Sequence, residues 1–207
     1  MGEKGIVSAT LFDQRRASAV FSSCPRCFAA CGPDGICSGT DGWACVASAH
    51  YRYVLRVPTG IEDDRVCTFC LANPSTATAE NVPKSLDPTV RRCFNWAQSW
   101  GYGWCWIVNV RAWRQTHPKR VPSDAIAIGP DNDYWLRDAF ARAALVVVGW
   151  GRLAGEERER HVKRLLRESR TPVHALRLLP DGTPSHPLAR GKNALPRELQ
   201  PVPMVIA

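Results

Sequence analysis

Val66 to Ala72 reads VCTFCLA and runs straight into Asn73-Pro74-Ser75-Thr76. An apolar run of this length without alternation is the pattern of a strand buried on both faces. Asn-Pro then breaks it, turning a short polar side chain and several backbone N–H groups into whatever lies beyond the sheet. In open α/β sheets that is where ligands bind, outside the carboxyl ends of the strands.

Working outward, three further segments read as strands: WCWIVNV (Trp104 to Val110), ALVVVGW (Ala144 to Trp150) and PVHALRL (Pro172 to Leu178). Helices fit between them. Asp87-Pro88 starts one that runs through Trp100 with Val90, Phe94 and Ala97 on one face, and Gly101 stops it. Gly129-Pro130-Asp131 starts a second, through Ala143, and Glu156 to Ser169 forms a third around Val162, Leu165 and Leu166. Upstream, SAVFSS (Ser18 to Ser23) reads as a short strand, and YRYVLRV (Tyr51 to Val57) alternates as a half-exposed one would. Strand and helix in alternation predict a single α/β domain, a three-layer α/β/α sandwich with a mainly parallel sheet. Its carboxyl edge would gather Asn73, Asn109, Trp150 and Gly151, with His186 following the last strand.

Composition agrees. A chain of 207 residues with 45% hydrophobic content can bury one full core. No apolar stretch reaches the roughly 18 to 20 residues of a membrane span, and the N-terminus lacks a signal-peptide apolar region, so a cytoplasmic location is expected. Residues 1 to 50 hold four basic and four acidic side chains of the 27 and 19 in the chain, leaving 23 basic against 15 acidic in the remainder. That imbalance makes nucleic acid or nucleotides the first partners to consider, with no membrane role. Arg91, Arg92, Trp96, Trp104, Trp106, Arg111, Trp113, Arg114, His117, Lys119 and Arg120 interleave cations with flat rings. Such a mixture suits a single strand gripped by charge and stacking. Trp104 and Trp106 share one strand face and read as core, leaving Arg111 to Arg120 as the better phosphate contact.

Nine cysteines in a reducing compartment are thiols or metal ligands before they are disulfides. Cys24, Cys27, Cys31, Cys37 and Cys45, with His50 behind them, crowd an insertion from Cys24 to His50. Four thiolates, or three and a His, can close a tetrahedral zinc site and order a loop with few apolar residues. Structural zinc is the leading expectation, with unliganded thiols or an iron–sulfur cluster as alternatives; none is required for catalysis. Cys67 and Cys70 lie on opposite faces of a strand, so they read as small core residues.

Several motifs stand in a fixed order after the Asn-Pro turn: DPTVRRCFNWAQSWGYG (Asp87 to Gly103), WCWIVNVRAW (Trp104 to Trp113), IGPDNDYWL (Ile128 to Leu136), ALVVVGWG (Ala144 to Gly151) and SHPL (Ser185 to Leu188). Together, over Ser18 to Ser22 and Tyr51 to Leu188, they resemble a bacterial family known only as domain of unknown function 1643. In that family the first strand runs almost directly into the YRY strand, so the cysteine-rich segment is a departure. More distantly, Leu71-Ala72-Asn73-Pro74, Ile107-Val108-Asn109-Val110 and Ser185-His186-Pro187-Leu188 are similar to motifs of the uracil-DNA glycosylase superfamily. That resemblance implies a base N-glycosidic hydrolase in which Asn73 orients water and His186 donates to the base oxyanion, preferably as neutral imidazole. Asn109 would read the base edge, while Pro74, Ser75, Thr76, Asp87, Arg91, Arg111, Trp113 and Arg114 would surround the substrate. Two departures stand out: Thr89 and Val90 occupy the region that supplies a stacking aromatic, and Leu188 replaces the serine after His-Pro. The competing reading is a non-catalytic nucleic-acid or nucleotide-binding module.

Overall fold

The computed structural model describes residues 37–38, 44–47, 50–75, 87–117 and 120–206. Its sheet contains β1 (Cys37–Ser38), β2 (Ala44–Ala47), β3 (Arg52–Pro58), β4 (Val66–Leu71), β5 (Trp104–Asn109), β6 (Leu145–Val148), β7 (Val173–Ala175) and β8 (Val202–Pro203). Their spatial order is β1-β2-β3-β5-β4-β6-β7-β8. The four central strands, β5, β4, β6 and β7, are parallel; β3 runs antiparallel beside β5, and β8 antiparallel beside β7. SAVFSS and most of the cysteine-rich segment lie outside the described residues, whereas Cys37–Ser38 and Ala44–Ala47 add two strands to the sheet's edge.

Helix α1 (Pro88–Ser99) begins where the sequence signals it. Asp87 Oδ1 accepts from the N–H groups of Thr89 (2.9 Å) and Val90 (3.3 Å), and Pro88 takes the first turn, where a missing N–H costs nothing. Gly101, at φ 78°, turns the chain out of it. The helix buries Val90, Cys93, Trp96 and Ala97 against Leu55, Phe69, Leu71, Ile107 and Val147 on one face of the sheet. The other face carries Val54, Cys70, Val108, Val146 and Val148, covered by α3 (Asn132–Arg142) through Leu136 and Phe140 and by α4 (Glu156–Ser169) through Val162, Leu165 and Leu166. A four-residue helix, α2 (Asp124–Ala127), which the sequence reading passes over, precedes α3. Each fully buried Leu- or Phe-sized side chain contributes about 1.5–3 kcal/mol, so two apolar layers back to back hold the sheet.

Because β5 lies on one side of β4 and β6 on the other, the winding reverses at β4. The connections from adjacent strands leave in opposite directions at such a point, and ligands bind in the crevice between them.

Strand β3 departs from expectation. It is buried along most of its length rather than half-exposed. Strand β2 covers its outer edge, and Arg56, its solvent-pattern residue, lies over the Trp106 ring at 4.3 Å and faces Asp138 at 3.8 Å. A cation sandwiched this way adds apolar contact through its stem. Cys67 and Cys70 do fall in opposite layers. Burial pushes the Cys70 thiol up to about 12 and raises Cys67, Cys93 and Cys105 as well, so these sulfurs stay protonated and act as packing.

Candidate active site

Strand β4 ends at Leu71, and the next residues are held by the neighbouring segment: Val110 N–H donates to Leu71 O (2.8 Å), Arg111 N–H to Ala72 O (3.1 Å) and Gln115 N–H to Pro74 O (2.9 Å). Asn73 closes this arrangement. Its Nδ2 donates to the Gln115 carbonyl at 2.7 Å and to Pro74 O at 3.3 Å, which fixes the amide plane and commits the nitrogen. With its nitrogen committed, what the half-buried Asn73 has left to offer is its carbonyl oxygen, an acceptor.

Next along the edge, Ser75 Oγ donates to Asp87 Oδ2 at 2.9 Å while the other oxygen of Asp87 caps α1. One carboxylate thus joins the Asn-Pro turn to the helix. On β5, in register with Leu71, Asn109 is 1% exposed, and neither its Oδ1 nor its Nδ2 has a hydrogen-bond partner among the described residues. A buried amide left without partners costs roughly 1–3 kcal/mol per group, so the fold carries this one at a loss. Its backbone is held from the opposite layer: Asn132 Nδ2 donates to the carbonyls of Asn109 and Val110, both at 3.1 Å, and Arg158 Nε donates to Val110 O at 2.6 Å. Arg158, 3% exposed in its side chain, is paired with Asp133 at 2.7 Å.

The fourth component comes from beyond β7. Leu178 bridges to Pro184, and Gly151 N–H donates to Pro184 O at 3.0 Å, bringing Ser185-His186-Pro187 back over the end of β6. The contact is close, and any side chain at Gly149 would make its neighbours shift by a few tenths of an ångström. A Cβ on Gly149 would lie 3.2 Å from Leu71 Cδ2, 3.2 Å from Ser185 O and 3.3 Å from Pro187 Cδ. Ser185 Oγ is buried without a partner among the described residues. His186 Nδ1 accepts the Leu188 N–H at 3.1 Å, so in the neutral ring the proton sits on Nε2. Burial lowers the His186 pKa, and the nearby Asp87 carboxylate raises it by less, so the ring is neutral at pH 7.

Of the sequence-derived set, Asn73, Pro74, Ser75, Asp87, Asn109 and His186 come together at the carboxyl edge. Thr76 lies outside the described residues. Arg91 stands exposed on α1. Arg111 is committed elsewhere, pairing through Nε with Asp124 at 2.5 Å and donating to Leu153 O at 2.6 Å. Trp113 stacks on His50, and Arg114 N–H donates to His50 O at 2.8 Å. Among the metal candidates, Cys24, Cys27 and Cys31 lie outside the described residues; Cys37 is placed opposite Cys45 in register, and Cys45 is buried in the layer with Leu55. No group of three or more potential metal ligands occurs among the described residues. Ser185, Asn132 and Arg158 escaped the sequence reading. Only the SHPL motif carried a signal for the first, and nothing local marks the other two as reaching β5.

The model of a family described as protein of unknown function (DUF1643) matches residues 52–188, well over half of the chain. The chain belongs to the DUF1643 family. The match covers β3 to the His186 segment and so takes in every component of the candidate site described above. No curated protein and no solved structure matches the chain significantly. No helix among the described residues is long and apolar enough to cross a membrane.

Proposed function

We propose that this DUF1643 protein is an N-glycosidic hydrolase that removes a base from nucleic acid, on a fold of the uracil-DNA glycosylase kind with a cysteine-rich insertion. The observation that carries the reading is Asn109: a fully buried amide with donor and acceptor unspent, at the end of β5 and in register with Leu71 of β4, the strand that leads into Asn73 and at which the sheet reverses its winding. An amide held in that state is a reader of a planar edge that offers both a donor and an acceptor, as a nucleobase does.

The remaining roles follow from the hydrogen bonds. Breaking the bond between sugar and base leaves positive charge on the sugar carbon and sends the bonding electron pair away with the base. Neutral His186, its proton on Nε2, donates to the oxygen where that negative charge gathers, without bringing a full charge of its own. Asn73, its nitrogen tied to Gln115, holds a water through Oδ1; the water oxygen bonds to the sugar carbon and its proton passes to solvent. These groups cannot reach a stacked base, so the substrate is a single strand or a base swung out of the helix. Structural zinc at Cys24, Cys27, Cys31 and Cys37 rests on spacing, and Cys45, packed in the sheet's core, is not needed to complete it. A cytoplasmic location belongs to the same proposal.

The test is abasic-site formation by the purified chain on single- and double-stranded oligonucleotides carrying uracil, hypoxanthine, xanthine or oxidised bases. Asn73→Ala is expected to lose about 1,000-fold or more in turnover, while oligonucleotide affinity changes little and the melting temperature falls by only a few degrees through the lost bond to Gln115. Intact oligonucleotides from the wild-type chain across the whole series, with binding retained and weakened by Asn73→Ala, would replace this reading with the binding module.

A further inference from the structure

Past Asn109 the chain returns alongside the start of β3. Arg52 N–H donates to Ala112 O at 2.9 Å, Arg114 N–H donates to His50 O at 2.8 Å, and Tyr51 pairs with Trp113 between them. This short ribbon stacks its rings. Tyr53 and Tyr51 lie 5.9 Å apart at 15°, Tyr51 meets Trp113 edge-on at 5.5 Å, and Trp113 lies against His50 at 5.3 Å with the planes 4° apart. Tyr53 is buried, Tyr51 and Trp113 are half-buried and His50 is exposed, so the rings form a ladder from core to solvent.

Core packing accounts for the inner rungs. It does not account for the outer one, where an exposed imidazole lies flat on an indole and offers a planar surface to water. Two residues beyond Trp113, the Gln115 carbonyl holds the Asn73 amide, so the ladder and the water-holding asparagine share one loop. From Arg111 to Ser123 that loop contains Arg111, Arg114, His117, Lys119 and Arg120 and no acidic residue. Arg111 is tied to Asp124, but Arg114 follows Trp113 directly and the basic residues continue along the sequence beyond it, so the flat ring sits on a cation-rich segment that fits a base with its phosphate attached; bases inside a duplex cannot reach it, whereas those of a single strand can.

We propose that the His50–Trp113 stack seats a base neighbouring the processed nucleotide, which makes single-stranded nucleic acid the substrate class. The inference rests on the reading of the edge site as one that acts on nucleobases. The experiment is fluorescence anisotropy of the full chain with a labelled oligothymidine of about 15 nucleotides and with its duplex, at low salt. The wild-type chain is expected to prefer the single strand. His50→Ala and Trp113→Ala should each weaken single-strand binding about 5- to 100-fold and leave duplex binding unchanged, with Trp113→Phe retaining most of the affinity. If both alanine variants melt like the wild type yet bind the single strand as tightly, the stack is not a base platform, and base release remains to be judged by Asn73→Ala alone. If Trp113→Ala does not fold, the exposed His50→Ala decides. Binding of neither form by the wild-type chain overturns this inference together with the nucleic-acid reading beneath it.

Discussion

The two ends of the parallel strands treat their polar groups in opposite ways. At the amino end Thr59 Oγ1 donates to Tyr102 O at 2.6 Å and accepts from Ile61 N–H at 3.3 Å; Gln98 Nε2 donates to Thr59 O at 2.7 Å, and Arg65 reaches Asp63 at 2.9 Å and Gly101 O at 3.2 Å. At the carboxyl end Asn109 and Ser185 are buried with side-chain polar atoms unmatched among the described residues. Both ends belong to one sheet with one pair of apolar layers, so the difference is not a matter of local instability. The amino end is built to hold the strands together, and the carboxyl end leaves hydrogen-bonding capacity unspent, as the proposed base site requires.

Substitutions at the two ends test this contrast. The largest effect is expected at Gly103, where a Cβ would fall 1.5 Å from Asp63 O, a backbone atom with nowhere to go. Gly103→Ala should cost more than about 3 kcal/mol in urea unfolding, because the loop from the end of β3 to the start of β4 must move bodily. A variant as stable as the wild type would show that the amino end is not the rigid one.

A matched pair comes next. Thr59→Val removes a fully engaged hydroxyl and should destabilise by about 1–2 kcal/mol, since Tyr102 O and Ile61 N–H lose their partner. Asn109→Leu replaces an unmatched amide with an apolar side chain of similar volume and should leave stability unchanged or raise it by about 1 kcal/mol, while abolishing base release. Equal losses from the two would erase the contrast.

The smallest effect is the dependence on pH. His186 has its folded pKa lowered below the unfolded value, so the unfolded chain binds the proton more readily. The stabilisation is complete above the unfolded value of about 6.5 and declines as the pH falls below it towards the folded pKa. The urea midpoint should therefore drop between about pH 6.5 and 5 by less in His186→Gln than in the wild type. An identical slope in both would remove burial as the source of the neutral ring.

The scaffold was legible because its signals are local. Apolar runs marked β4, β5 and β6, Asp87-Pro88 and Gly101 bracketed α1, and Glu156 to Ser169 matched α4 residue for residue. Strand β3 misled because Arg52 and Arg56 look like solvent-facing residues, whereas burial of a strand is decided by neighbours that are distant in sequence. The site was half legible for the same reason. Asn73, Asn109 and His186 end their own motifs, but the bonds from Asn132 and Arg158 to the end of β5 span 23 and 48 residues. Arg111 looked like a phosphate ligand because Asp124, 13 residues away, cannot be seen as its partner until the chain folds back.

The side of α1 that meets the last segment of the chain has a consequence of another kind. Arg92 Nη2 donates to Leu195 O at 2.6 Å, Trp96 Nε1 to Arg197 O at 2.7 Å and Trp100 Nε1 to Leu199 O at 2.6 Å, so residues one helical turn apart each grip an alternate carbonyl of the last segment. Two of those donors are indole protons, which resonate in an uncrowded part of a proton spectrum. They make built-in beacons: while the tail is seated both signals exchange slowly with solvent, and if it lifts both vanish together, reporting on the helix whose first residue, Pro88, follows the Asp87 of the crevice.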